Sequence, residues 1–174
     1  MSKTYKVKPI NKISDIPKGT FDWVCSFITD TTVPLKELTE EKEITLLELH
    51  ETIKSNELEG WIAKQGNPIE QNYLLGLAVQ YPEAFETGKD YISTASVFSD
   101  EDGDRCFFSV LRRDVRRELD LVLVDDDWHA DDDWVFLAEP LKSSPETLSP
   151  LDTETLEKAI GICVMNGYTV TKTK

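Results

Sequence analysis

YISTASVFSDEDGDRCFFSVLRRDVRRELDLVLVDDDWHADDDWVFLA, residues 91 to 138, is the stretch on which the expected architecture of this chain turns. β-Branched and aromatic residues dominate it, and turn-forming residues interrupt it at short intervals. The pattern predicts strands over Tyr91 to Phe98, Arg105 to Leu111, Leu119 to Val124 and Trp134 to Ala138. Short turns join neighbours, which predicts antiparallel pairing. In the third of these strands Leu119, Leu121 and Leu123 alternate with Asp120, Val122 and Val124, so one face is expected to be buried and the other partly covered by a helix.

Outward from that block the period changes. From Thr39 to about Asn56, Ile44, Leu46, Leu47, Leu49 and Ile53 suggest the apolar side of a helix, with Thr39 as N-cap and Glu40 and Glu41 in the first turn. A second helix is expected to open with Asn67 as cap, Pro68 at the first helical position and Glu70 in the capping box, and to run until Pro82. Gly76 sits inside it, where a glycine costs roughly 1 kcal/mol relative to Ala, so it marks either a tolerated weakness or the close approach of another element. Phe21 to Ile28 is an apolar island read as a short helix, within an otherwise irregular segment 1–35. Beyond a polar connection, Thr153 to Met165 reads as a last helix stopped by Asn166-Gly167, with Tyr168 to Thr171 suited to an edge strand. Helical and extended blocks are segregated, so the expectation is one α+β domain over 1–174. It comprises a mainly helical part at 36–90, an antiparallel β-meander of about four to five strands at 91–140 packed against two to three helices, and a C-terminal helix within 151–174.

The 174 residues carry 33 acids against 19 bases, a net charge of −14. Such a surface repels nucleic acid and anionic lipid, so neither direct nucleic-acid binding nor membrane association is expected. Residues 1 to 20 hold five Lys against one Asp, whereas residues 100 to 140 hold 14 acids against five Arg. Cys25, Cys106 and Cys163 lie far apart in apolar runs without a Cys-x-x-Cys pair, as buried thiols of a reducing compartment would. With neither a secretion signal nor a membrane-length apolar run, a cytoplasmic location is expected.

The densest charge is Asp125-Asp126-Asp127-Trp128-His129-Ala130-Asp131-Asp132-Asp133-Trp134, six carboxylates and two indoles in ten residues. Like charges this close need a cation, a basic partner or a turn to relieve their repulsion. Asp125, Asp126, Asp127, Trp128, Asp131, Asp132 and Asp133 are the candidate partner-binding residues, with the aromatics as anchors inside a field attractive to Lys and Arg. The same carboxylates suit a hard cation, which makes a metal-assisted hydrolase the rival reading. Asp100-Glu101-Asp102-Gly103-Asp104 resembles a calcium loop only superficially. An EF-hand loop opening at Asp100 would need Gly at 105 and an acid at 111, where Arg105 and Leu111 stand, so a hairpin turn with Gly103 at positive φ is expected.

Arg112-Arg113-Asp114-Val115-Arg116-Arg117 is read as pairing with the neighbouring acids rather than gripping phosphate. His50 lies beside Glu51 and near Glu48, but no motif ties a nucleophile to it, and no glycine-rich phosphate loop is present. No catalytic constellation emerges and no cofactor is called for. The leading expectation is a small acidic protein-binding module that engages a basic surface on another protein, as an inhibitor, an immunity protein or a nucleic-acid mimic does. The alternatives are the hydrolase using residues 125–133 and an acidic accessory domain without activity of its own.

Overall fold

The computed structural model describes residues 3–141. Strands β1 (Thr4–Val7), β2 (Trp23–Val24) and β3 (Lys42–Glu48) precede helix α1 (Leu58–Ala63). Strand β4 (Gly66–Pro68) and helix α2 (Gln71–Gln80) follow, and β5 (Asp90–Ser99), β6 (Arg105–Arg113), β7 (Arg116–Leu123) and β8 (Trp134–Pro140) complete the order. All eight strands join one mixed sheet in the order β1-β3-β8-β5-β6-β7-β2, with β4 also pairing β8.

This corrects the expected α+β meander packed on two to three helices. The described residues form a β-rich fold with only two short α-helices, of six and ten residues. Strands β5, β6 and β7 are antiparallel neighbours. The fourth expected strand does not extend them past β7. Instead β8 crosses to the other side of β5, pairs with it in parallel, and pairs antiparallel with β3. The link between β7 and β8 is therefore a crossover that carries the acidic loop.

The misread helix at 39–56 is β3 and its continuation. A strand covered on both faces loses the clean alternation of a half-exposed one. Ile44 is buried in one apolar cluster, while Leu47 and Leu49 are buried in the other. Apolar residues at 44, 46, 47 and 49 thus imitate a helical stripe. Asn67 and Pro68 belong to β4 rather than to a helix start, and Pro68 is tolerated in so short a strand because the ladder asks for few donors there. Glu70 becomes the N-cap residue of α2 without a capping bond from its side chain, which instead engages Lys36 and Ser96. Within the island 21–28 the expected helix is replaced by β2, which pairs in parallel with β7. The expected helix at 153–165 and edge strand at 168–171 lie outside the described residues.

Successive strand residues point to opposite faces, and the two buried clusters follow that rule. Tyr91, Phe108, Val135 and Leu137 pack against α2 on one face, while Ile92, Phe107 and Phe136 meet Leu58 and Ile62 of α1 and Trp128 on the other. Residues Gln71 to Ala78 are buried all round, because the irregular segment before β3 wraps the outer side of α2. Asn72 Nδ2 secures that wrap by donating to the carbonyls of Ile10 at 2.9 Å and Lys36 at 2.8 Å. Gly76 is required there: a Cβ would come within 2.1 Å of the Lys8 carbonyl oxygen. At the far end of the helix Arg117 Nη1 donates to the Ala78 carbonyl at 2.8 Å, placing positive charge where the helix dipole is negative. Arg112 Nη1 similarly reaches the Phe85 carbonyl. Arg112 and Arg117 thus serve backbone carbonyls, whereas Arg113 pairs with the neighbouring acid Glu118 at 3.8 Å. Among the described residues no helix is long and apolar enough to cross a membrane.

Candidate functional site

The crossover between β7 and β8 is held from below. Trp128 is 1% exposed, with its indole edge-on to Trp134 at 5.1 Å and to Phe136 at 5.3 Å between ring centroids. Its backbone forms a two-way bridge with Ile53, Trp128 N to Ile53 O at 2.8 Å and Ile53 N to Trp128 O at 2.9 Å. Full burial of an aromatic ring of this size contributes on the order of 3 kcal/mol. The loop ends are fixed as well, by Leu49 N donating to Trp134 O at 3.0 Å and by Asp133 in a left-handed conformation at φ +55°. Asp tolerates that region better than most residues.

Trp128 therefore corrects one expectation. Its indole is core and offers no surface to a partner, because it packs with Ile53, Leu58 and Ile62 over Phe107 and Phe136 of the sheet. The six carboxylates of Asp125, Asp126, Asp127, Asp131, Asp132 and Asp133 are all exposed. Two have partners: Asp125 pairs with Arg105 at 3.3 Å, and Asp127 Oδ1 accepts from Ser55 N at 3.3 Å. Among the described residues, no three His, Cys, Asp or Glu side chains converge in a way that could hold a metal ion. The turn at 100–104 has the hairpin geometry, with Gly103 at φ +88° and Asp100 Oδ1 accepting from the backbone N–H groups of Asp102 at 3.0 Å and Asp104 at 2.9 Å.

Beside the loop lies a cleft of about 550 Å³ that the sequence reading missed. It exists because β5 and β6 part company: Ser93 pairs with Phe108 and Phe98 with Cys106, so Thr94 to Val97 bulge out opposite Phe107 alone. Helix α1 forms another wall, and Leu58, Ile62, Phe107 and Val124 line the cleft together with Arg105 and Asp125. The Thr94 hydroxyl, also in the lining, is buried without a hydrogen-bond partner. The signal available in the sequence was Ser93-Thr94-Ala95-Ser96, four small residues inside a strand, which is how a large bulge announces itself. Helix α1 was hidden because Gly60, a residue that disfavours helix interiors, lies inside it.

Four groups on the sheet and its edges have perturbed protonation. Burial pushes the Asp90 carboxyl up to about 6; the hydrogen bond from the Ser109 hydroxyl opposes this, and the nearby Asp120 adds to it. The Asp90 backbone N–H donates to Asp133 O at 3.4 Å, so this group adjoins the loop's end. Burial, with Asp100 and Asp104 nearby, pushes the Cys106 thiol up to about 11. On the opposite face of the sheet Lys89 bridges Glu48 at 2.8 Å and Glu86 at 3.0 Å, and the hydrogen bond it donates to Glu48 raises its ammonium while lowering the Glu48 carboxyl. Glu48 is thus bonded to Lys89, although His50 lies near enough to help lower its carboxyl, and Glu51 accepts from Trp61 Nε1 at 3.2 Å.

No family model matches the chain, and neither a curated protein nor a solved structure matches it.

Proposed function

We propose that the protein is a binding module that presents the loop 125–133 to a basic surface of another protein, in a reducing compartment such as the cytoplasm. The observation that carries the reading is the burial of Trp128 beneath six exposed carboxylates. Anchoring a charged loop in the core lowers the ordering cost of binding, because the loop is already fixed in the free protein. Five of the six, Asp126, Asp127, Asp131, Asp132 and Asp133, have no ion-pair partner among the described residues, so their field is directed at solvent. Complementary charge of this kind chiefly accelerates encounter and selects partners. The hydrolase reading lacks a convergent ligand set in the loop, and it is not carried forward.

The test is retention of proteins from native lysate on the immobilised chain at low salt, with a salt gradient for elution, followed by Kd measurements on the purified partner. The control replaces all six aspartates with Asn, which reduces the net charge from −14 to −8. A basic partner whose Kd rises steeply with salt and which the control fails to retain supports the module. Equal retention by both forms, or a Kd indifferent to salt, overturns it.

A further inference from the structure

The cleft between α1, the bulge of β5 and the ends of β6 and β7 adjoins the acidic loop without a break. Asp125 belongs to both, and Ser55, another lining residue, has its backbone N–H held by Asp127. We propose that this cleft receives one apolar side chain of a partner segment whose neighbouring residues are Lys or Arg; the proposal rests on the reading of the loop as a surface for basic partners. The volume of about 550 Å³ falls within the range of roughly 300–1,000 Å³ usual for ligand sites, large enough for an aromatic or branched aliphatic group.

The chemistry of the walls selects such an occupant. Leu58, Ile62, Phe107 and Val124 offer apolar contact, and Val97 stands 43% exposed in the lining. The charges in the lining are Glu59, Asp125 and Arg105, and the single cation already pairs with Asp125. An anionic ligand would meet a net negative mouth, whereas a side chain flanked by cations meets complementary charge on its way in. The arrangement is that of an interface hot spot, an apolar socket rimmed by polar groups that exclude water.

The experiment uses three peptides of equal charge, Lys-Lys-Xaa-Lys-Lys with Xaa as Trp, Leu or Gly, titrated into the full chain at low salt and followed by amide chemical shifts. The Trp and Leu peptides are expected to bind about ten-fold or more tightly than the Gly peptide, the factor that withdrawal of one such side chain from water implies. Their shifts should centre on Leu58, Ala95, Val97 and Arg105. Val97→Trp and Ala95→Leu, confirmed as folded by thermal melting, fill the cleft and should reduce the Trp and Leu peptides to the level of the Gly peptide. Equal binding of all three peptides, or filled variants that bind like the wild type, overturns the proposal while leaving the loop reading intact. Unchanged binding of the Gly peptide by the six-Asn control overturns the loop reading instead. Preference for a neutral apolar small molecule, such as indole, over the Trp peptide makes the cleft a small-molecule site and likewise overturns the proposal.

Discussion

Asp90→Asn separates the cost of one buried carboxylate from everything else that titrates. The Asp90 carboxyl is raised from an ordinary 3.8 to about 6, first by burial and then by Asp120, against the opposing hydrogen bond from Ser109 and the charge of Arg113. Below the unfolded value both states hold the proton. Between the two values the unfolded chain releases it while the folded protein keeps it, so the folded state binds more protons and stability falls as pH rises through that window. Above about 6 the whole penalty is present and constant. A displacement of about 2 pH units corresponds to about 3 kcal/mol at roughly 1.4 kcal/mol per unit, and residual contact with water makes that an upper bound. Asparagine is nearly isosteric, retains an oxygen to accept from the Ser109 hydroxyl and never ionises. Urea denaturation of both proteins in half-unit steps from pH 4 to 8 should therefore show the variant gaining on the wild type by about 2–3 kcal/mol across the series. Most of the gain should fall below pH 6.5 and little above it. Two stability profiles that run parallel within about 0.5 kcal/mol would refute the reasoning, because the ionised carboxylate would then be as well solvated in the folded protein as in the unfolded chain.

Two further substitutions test the packing. Gly76→Ala should gain up to roughly 1 kcal/mol from helix propensity, yet destabilise the protein by about 1–3 kcal/mol net, because its Cβ must displace the Lys8 backbone; the shift in denaturation midpoint measures which effect wins. Trp128→Ala should cost about 3–5 kcal/mol by opening a cavity beneath the loop, whereas Asp126→Asn, at an exposed neighbour, should stay within about 0.5 kcal/mol by the same assay.

The strand segments around Arg105 to Leu111 and Leu119 to Val124 were legible because each is bounded by residues with a turn chemistry of their own. Asp100 bonds the backbone of its own turn, Gly103 supplies the positive φ, and Asp114 takes φ +51° at the next hairpin. What the sequence did not disclose was partnership. Nothing in Trp134 to Pro140 states that this strand inserts between β3 and β5, since the choice rests on pairing with residues about ninety positions away in β3 and about forty-four away in β5. Periodicity failed at Ile44 to Leu49 for a related reason: a strand buried on both sides has no polar face to reveal its period of two. At the candidate site the density of charge in 125–133 was plain, but the orientation of Trp128 was not. An indole among aspartates reads equally as an exposed anchor or a buried one until the sheet beneath it is known. The cleft was the least legible feature, because a bulge places a void where a local pattern shows only small residues.

The position of β8 has a consequence for how the protein is made. Its two neighbours, β3 and β5, are both synthesised before it, and each presents to the gap an edge of unpaired backbone groups until residues 134–140 leave the ribosome. Up to that point the ladders open to the described strands on either side of the gap are β1 with β3 and β5 with β6, β7 and β2, whose edges facing the gap lack their native partner. Completion is thus posted late and depends on contacts distant in sequence, the circumstance that slows folding and favours aggregation. Residues 1–133 already carry 28 acids against 15 bases, and like charge of that size opposes association of such edges in the interval.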